Sequence, residues 1–231
     1  MIEVAPDPEA LARHAARWIA GLARAAPDRF AIALSGGSTP RRTYEVLARE
    51  ELPWDRIHWF WGDERFVPPD DKDSNYRMAR EALLDDAPVP PENLHPIPTS
   101  GSPAEAARAY EAELKSYYGA GELDPARPLF DVQLLGLGSD GHTASLGPGR
   151  PELEERRRWV VEVIGWQPQA RITLTYPALA SSRHAVFLVE GAGKRAILAR
   201  ALAGDTALPA ARLAPVGELR WLVDRAARGG A

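Results

Sequence analysis

The chain has 231 residues, a net charge of −4 and no cysteine. The missing cysteine excludes disulfides, thiolate metal sites, iron–sulfur clusters and cysteine nucleophiles, and the slightly acidic balance argues against a nucleic-acid partner. No apolar run reaches the roughly 18–20 residues of a membrane helix, and the first residues do not resemble a signal peptide, so we expect a cytoplasmic protein with no membrane partner.

Arginine dominates the basic residues. Of 28 cations only Lys72, Lys115 and Lys194 are lysines, and the chain contains 21 prolines. Few thermolabile residues and many loop prolines favour a protein that works at high temperature, whereas a GC-rich genome favours the same residues. The composition fits both interpretations, and it fits a monomer as well as a small homo-oligomer.

The predicted elements alternate between helices and short apolar strands, which predicts one α/β domain over residues 1–231 with a mostly parallel sheet and helices on both faces. In chain order they are a helix over Pro8–Ala25, a strand over Arg29–Leu34, a helix from Thr39 to about Glu51, a strand over Arg56–Gly62, helices over Ser74–Leu84 and Pro103–Tyr118, strands over Phe130–Leu135, Val160–Ile164, Arg171–Thr175 and Ala185–Val189, a helix over Lys194–Leu202 and a strand over Leu219–Val223.

A glycine-rich turn follows the first predicted strand. Its two glycines let the backbone approach an anion, and the next helix turns free N–H groups and its positive dipole end toward the same place. Thr39 is the expected helix cap, with Pro40 as the first helical residue. A simple strand-to-helix turn has the same spacing, so the pattern alone favours phosphate binding only slightly. The candidate phosphate-binding residues are Ser35, Gly36, Gly37, Ser38 and Thr39.

Charged residues follow the second predicted strand. Asp63, Glu64 and Arg65 lie where a substrate or a catalytic group would be oriented if this edge of the sheet carries the site. The alternative is a solvated loop with an internal ion pair. The following helix begins with Ser74–Arg77, which serves either as a cap or as a second polar wall that brings Arg77 to the substrate.

The third polar segment follows the strand Phe130–Leu135 and contains a formal G-x-G-x-x-G pattern. A dinucleotide site needs a helix to begin here, but the glycines and prolines of residues 147–151 leave room for only a turn or two, so we reject that interpretation. The remaining feature is His142 with Asp140 two residues before it. Histidine transfers protons near neutral pH and a carboxylate can orient it, although a single histidine is more often structural.

Two further cations are weaker candidates for phosphate contacts. Arg171 begins a predicted strand, and Lys194 follows a glycine-rich turn that lacks the spacing of a nucleotide-binding P-loop. A lysine can still hold a phosphate as a point charge. The five histidines are scattered without metal-ligand spacing, and no G-x-S-x-G nucleophile motif is present, so the sequence predicts neither a metal nor a serine nucleophile.

Taken together these segments resemble the signatures of the 6-phosphogluconolactonase family. The strongest are ALSGGSTP from Ala33, WGDER from Trp61, SNYR from Ser74 and LGLGSDGHTASL from Leu135. RITLT from Arg171 and GAGK from Gly191 match looser blocks. One departure is Gly147, where the family usually has a bulky apolar residue before the proline.

The resemblance implies a Rossmann-like domain shared with glucosamine-6-phosphate deaminases and isomerases. It implies a small-molecule sugar-phosphate lactone as substrate, namely 6-phosphoglucono-1,5-lactone, hydrolysed to 6-phosphogluconate in the second step of the oxidative pentose phosphate pathway, with no cofactor and no metal. It also implies that His142 is the general base. Asp140 or Asp63 would orient its imidazole, and Arg65 or backbone N–H groups would stabilise the oxyanion.

Two other functions are considered. An amino-sugar phosphate deaminase on the same fold carries a glutamate five residues after the histidine and an Asp-Glu-Tyr segment, where this chain has Gly147 and Asp63-Glu64-Arg65. A sugar-phosphate sensor would keep the anion loop without chemistry, but such regulators usually carry a DNA-binding segment. No basic helix-turn-helix is apparent, so we expect no binding to duplex DNA.

Overall fold

The computed structural model describes residues 1–229, and over that range ten strands and seven α-helices form an α/β fold. Short 3₁₀ turns connect several elements, and a π-helical turn over Arg80–Leu84 extends the third helix. The elements in chain order are β1 (Ile2–Ala5), α1 (Pro8–Ala25), β2 (Phe30–Leu34), α2 (Ser38–Leu47), β3 (Ile57–Trp61), β4 (Asp63–Arg65), α3 (Asn75–Ala79), β5 (Leu94–His95), α4 (Pro103–Tyr118), β6 (Phe130–Gly136), β7 (Val160–Val163), β8 (Arg171–Leu174), α5 (Tyr176–Ala180), β9 (Ser182–Val189), α6 (Arg195–Leu202), β10 (Glu218–Asp224) and α7 (Arg225–Arg228).

Seven of the strands form one parallel sheet with the order β1-β10-β9-β6-β2-β3-β5. All five residues of β2 are buried, as is typical of a parallel strand covered on both faces. The predicted α/β class with a mostly parallel sheet is confirmed.

The strand order reverses between β2 and β6. From β2 the chain moves outward to β3 and β5, then returns to the other side of β2 to form β6, and continues to β9 and β10. Connections that diverge from neighbouring strands leave a crevice at their carboxyl ends, which is where ligands bind in open α/β sheets. The loops after β2 and β6 enter this crevice.

A second sheet was not predicted. β4, β8 and β7 pair antiparallel, apart from the seven-stranded sheet. Gly62 joins the two sheets, since its N–H donates to Leu34 O at 2.8 Å and its carbonyl accepts from Leu174 N at 2.9 Å. The charged composition of β4 conceals a strand from sequence patterns, yet this strand brings Asp63 to the crevice.

Helix ends were predicted best where side chains cap them. α1 has the predicted bounds, and the Asp7 carboxylate accepts from Ala10 N at 2.7 Å. α4 also has the predicted bounds, with a capping box between Ser102 and Glu105. The predicted helix α2 is present, but its predicted cap was wrong. The helix begins at Ser38 rather than after a Thr39 cap, because Gly37 takes the cap position with φ of +110° and no side-chain bond.

Two buried tyrosines fix the strand ends that lead into the crevice. The Tyr44 hydroxyl accepts from Ser35 N at 2.9 Å and donates to Ser35 O at 2.8 Å. The Tyr110 hydroxyl bonds the N–H and the carbonyl of Trp61 in the same way, at 3.0 and 2.9 Å. Both side chains are fully buried, so the backbone just before each polar segment is satisfied without water.

Candidate active site

A cavity of about 360 Å³ lies at the carboxyl ends of β2, β6 and β9. These three strands are neighbours in the sheet, and the strand order reverses between β2 and β6. Its walls come from the loops after these strands and from β4, α3 and β8. Of the predicted site residues, the cavity is lined by Ser35, Gly36, Gly37, Ser38, Thr39, Asp63, Arg65, His142, Arg171 and Lys194.

The loop after β2 exposes helix N–H groups to the cavity. α2 begins at Ser38, and its first intrahelical bond runs from Arg41 N to Gly37 O at 3.1 Å. The amides of Ser38 and Thr39 therefore have no acceptor within the helix, and both residues line the cavity. Free amides at the positive end of a helix dipole form an anion-binding arrangement.

Gly36 has a packing requirement of its own. A side chain on Gly36 would overlap the Asn75 carboxamide, which lies directly against it. The Asn75 amide nitrogen donates to Asp63 O at 2.9 Å and joins the loop after β2 to β4. Asn75 lines the cavity. Asn75 was predicted only as one residue of Ser74–Arg77, interpreted as a helix cap or a polar wall. Its position directly after the capping Ser74 gave no separate signal.

Strand alternation separates the three charged residues of β4. Asp63 and Arg65 line the cavity, whereas Glu64 is 2% exposed and points away from it. The Glu64 carboxylate accepts from the backbone N–H groups of Asn75 and Tyr76 at 2.7 Å each. It therefore holds the first turn of α3 in place, and the alternative interpretation of this segment as a solvated loop with an internal ion pair does not apply.

Arg77 is not among the residues that line the cavity, so the structure does not bring it together with the other candidate substrate-binding residues. Its guanidinium donates to Glu81 at 2.6 Å and to Asp70 O at 2.8 Å on an exposed surface. Residues two apart on a helix point in nearly opposite directions. Because Asn75 faces the cavity, Arg77 cannot face it as well.

Two guanidiniums share one wall of the cavity. Arg65 and Arg171 are direct partners across the β4–β8 pairing. Each has a buried Nε with no partner among the described residues, and burial lowers the pKa of Arg171. Arg65 also donates from Nη1 to Asp73 O at 2.5 Å. Buried, unsatisfied donors on two adjacent cations favour negatively charged groups of a ligand along this wall.

The third cation comes from the other side of the crevice. Lys194 lies in a 3₁₀ turn just after β9, and its ammonium donates to Leu137 O at 2.6 Å. This bond ties the lysine to the loop after β6. Since Lys194 also lines the cavity, a bound anion would find its two remaining N–H donors.

His142 is oriented by Asp140. The imidazole Nδ1 lies 2.6 Å from Asp140 Oδ1, which also accepts from His142 N at 3.1 Å. Although partial burial opposes it, the backbone and ring hydrogen bonds from His142 lower the pKa of Asp140. A carboxylate that accepts from Nδ1–H leaves Nε2 as the basic ring nitrogen.

Gly138 makes room for this imidazole. Any Cβ atom on Gly138 would overlap the His142 ring, and Gly138 N donates to His142 O at 2.9 Å. Gly138 therefore lets the imidazole pack tightly against the backbone of this loop. The glycine is explained by the histidine, so the G-x-G-x-x-G pattern does not require a dinucleotide.

The second candidate for orienting His142, Asp63, is engaged elsewhere. It is 6% exposed and accepts from the Ser145 hydroxyl at 2.6 Å, with Arg171 Nη1 at 3.8 Å. The structure thus brings Asp140 to the imidazole and keeps Asp63 at the arginine wall. Asp140 itself is not among the cavity-lining residues.

Residues 1–229 contain neither a candidate metal site nor a candidate membrane-spanning helix. No three His, Asp or Glu side chains there lie close enough together to hold a metal ion. No helix in that range has both the length and the apolar character needed to cross a membrane.

Known proteins are similar to this chain in sequence. A family model described as glucosamine-6-phosphate isomerases/6-phosphogluconolactonase matches residues 6–221. A 6-phosphogluconolactonase from Nostoc sp. is 46% identical, over 98% of this chain and 96% of its own length.

Solved structures are similar in fold. The crystal structure of 6-phosphogluconolactonase from Thermotoga maritima has a TM-score of 0.84 and 32% identity, covering 97% of this chain and 99% of its own. A monomeric glucosamine-6-phosphate deaminase has a TM-score of 0.80 at 24% identity, with 98% of each chain covered, a likeness of fold alone. The resemblance inferred from the motifs is confirmed, and this chain belongs to the glucosamine-6-phosphate isomerase and 6-phosphogluconolactonase family.

Proposed function

We propose that residues 1–231 act as one enzyme domain that hydrolyses 6-phosphoglucono-1,5-lactone to 6-phosphogluconate. The observation that carries the proposal is the oriented Asp140–His142 pair beside a cavity lined by three cations. Support also comes from the Nostoc and Thermotoga maritima relatives, both called 6-phosphogluconolactonase. The cavity draws on segments from Ser35 to Lys194, which favours a single domain.

The chemistry needs a base and no covalent nucleophile, because a δ-lactone is an activated ester. His142 Nε2 removes a proton from water as the water oxygen attacks C1. The carbonyl oxygen becomes an oxyanion, which collapses as the C1–ring-oxygen bond breaks. The imidazolium then returns its proton to the departing ring oxygen, so the histidine is regenerated. Asp140 keeps the imidazole in the required tautomer.

The cations divide between the two ends of the substrate. The free amides of Ser38 and Thr39, with Arg171 and Lys194, bind the phosphate. This remote binding places the carbonyl at the histidine. Arg65 stabilises the oxyanion, which needs a donor positioned in advance.

A substrate comparison tests the proposed function. We expect lactone hydrolysis and no release of ammonia from glucosamine 6-phosphate, because the deaminase glutamate is replaced by Gly147. The measurement is a coupled assay of both substrates with one enzyme preparation, after subtraction of spontaneous lactone opening. Deamination without lactonase activity would overturn the proposal in favour of the related amino-sugar chemistry.

Removal of Lys194 should weaken binding more than chemistry. Lys194→Ala removes a phosphate contact that is present in both the ground state and the transition state, so we expect KM to rise about tenfold or more with kcat little changed. The control is Lys72→Ala, which removes an exposed lysine remote from the cavity-lining set. A fall in kcat with constant KM would instead place Lys194 at the reacting carbonyl.

A further inference from the structure

Trp166 contacts the proposed base from outside the cavity wall. Its indole meets the His142 imidazole edge to face, with ring centroids 5.0 Å apart and ring planes at 84°. Among residues 1–229, those that line the cavity include His142 but not Trp166. Trp166 therefore touches the proposed base without being one of the residues that line the cavity.

The indole also packs closely against Gly147. A Cβ atom on Gly147 would lie 2.5 Å from indole Cε2 and 2.8 Å from Nε1, which is closer than real Cβ atoms approach. Gly147 thus leaves free the volume that the indole occupies. Packing of this density leaves little room for the indole to shift.

The segment that carries Trp166 is fixed independently of His142. It connects β7 to β8 over residues 164–170. At its start Arg150 Nη2 donates to Ile164 O at 2.9 Å, and near its end Gln169 Nε2 donates to Asp73 Oδ2 at 2.9 Å. The β7–β8 connection is therefore held by hydrogen bonds that do not involve His142, and it can support the imidazole.

His142 needs such a support. The Asp140 carboxylate is 44% exposed and the imidazole 31%, and exposed pairs of this kind are weak because water competes for both partners. A single hydrogen bond to Nδ1 does not by itself fix the plane of the ring. An edge-to-face aromatic contact has a preferred geometry and fixes the plane that the hydrogen bond does not.

We propose that Trp166 is a positioning residue that fixes the plane of the His142 imidazole and so directs Nε2 to the water that attacks the lactone carbonyl. This inference rests on the proposed function, in which His142 is the base. The competing role is support of Arg171, whose guanidinium carbon lies 5.9 Å from the indole centroid. The two roles differ in kinetics, because one concerns proton transfer and the other phosphate binding.

The first measurement is the split between kcat and KM. We expect Trp166→Ala to lower kcat about tenfold, less than the roughly hundredfold that an ångström of misplacement costs. KM and inhibition by 6-phosphogluconate should be unchanged, and Trp166→Phe should recover most of the loss. A rise in KM with constant kcat would overturn the inference in favour of support for Arg171.

Trp18 provides a matched control. It meets His184 edge to face at 5.3 Å and 83°, and the Arg220 guanidinium carbon lies 5.1 Å from its ring centroid. This second cluster has the same three residue types but involves the amino-terminal part of β9, whereas the cavity lies at the carboxyl end of that strand. Trp18→Ala should lower thermal stability without lowering kcat. Equal kcat losses in Trp18→Ala and Trp166→Ala would indicate a general structural effect and overturn the inference.

Double variants test whether Trp166 acts through His142. In a His142→Ala background, Trp166→Ala should cause no further loss of the residual rate. Gly147→Ala should lower kcat in the wild-type background and have little effect once Trp166 is alanine, because the three atoms nearest the added methyl group all belong to the indole. Independent, multiplicative losses in either pair would overturn the inference.

Failure of the inference and failure of the proposed function give different results. If His142→Ala is inactive while Trp166→Ala has normal kinetics, only the positioning role is wrong. If folded His142→Ala keeps wild-type kcat, the base assignment fails and the positioning role fails with it.

Discussion

His142→Ala is expected to lower kcat by roughly two to four orders of magnitude, the usual contribution of a positioned general base. KM should change little where substrate binding is rapid, because the side chain acts on the proton of the attacking water rather than on the phosphate. The measurement is the initial rate of lactone hydrolysis, corrected for spontaneous opening of the lactone.

The control for this variant is His14→Ala. His14 pairs with Glu3 at 2.8 Å on an exposed surface, and its loss should leave kcat unchanged. A near-wild-type kcat in correctly folded His142→Ala would exclude the general-base role. The activity would then have to depend on Asp63 or Asp140.

Gly138→Ala is expected to lower kcat about a hundredfold, although it adds only one methyl group. The new Cβ overlaps the imidazole of His142, so the ring must move, and a displacement of about 1 Å from the productive geometry costs on the order of 10²-fold in rate. Binding of 6-phosphogluconate should survive, because the phosphate contacts lie on other segments. The measurement is kcat together with the inhibition constant of the product.

Gly21→Ala is the matched control for this substitution. Gly21 lies inside α1, and apart from its chain neighbours and the helix's own backbone no atom lies within 4 Å of the added Cβ. Alanine should therefore raise helix stability by about 1 kcal/mol and leave kcat unchanged. If Gly138→Ala has normal kcat, the imidazole tolerates displacement, and the tight placement of His142 against backbone has no catalytic consequence.

The orientation of His142 illustrates a choice that sequence alone left open. Asp140 and Asp63 were equal candidates. Asp140 is two residues from the histidine and reaches it through a local turn, whereas Asp63 is 6% exposed and accepts from the Ser145 hydroxyl. The contact between Asp63 and Ser145 joins segments 82 residues apart, and no local pattern specifies such a pair.

Asn75 and Trp166 were not among the predicted site residues, and the reason is again that their positions depend on contacts between distant segments. Asn75 enters the cavity because Glu64 holds the first turn of α3, and Trp166 reaches His142 because β7 and β8 pair antiparallel. Gly147 was visible in the sequence as a departure from the family pattern. Only the fold showed that the indole of Trp166 occupies the space beside it.

The sequence by itself determined the α/β class, the bounds of α1 and α4, the three polar segments after strands and the family. These depend on short-range physics, namely apolar periodicity, helix capping and glycine-rich turns, all of which are written in consecutive residues. The tertiary structure alone decided the second sheet, the pairing of Arg65 with Arg171, the exclusion of Arg77 from the cavity and the partner of each aspartate. Each of these depends on which face a side chain takes and on contacts between distant segments, and both are set by strand pairing and burial over the whole chain.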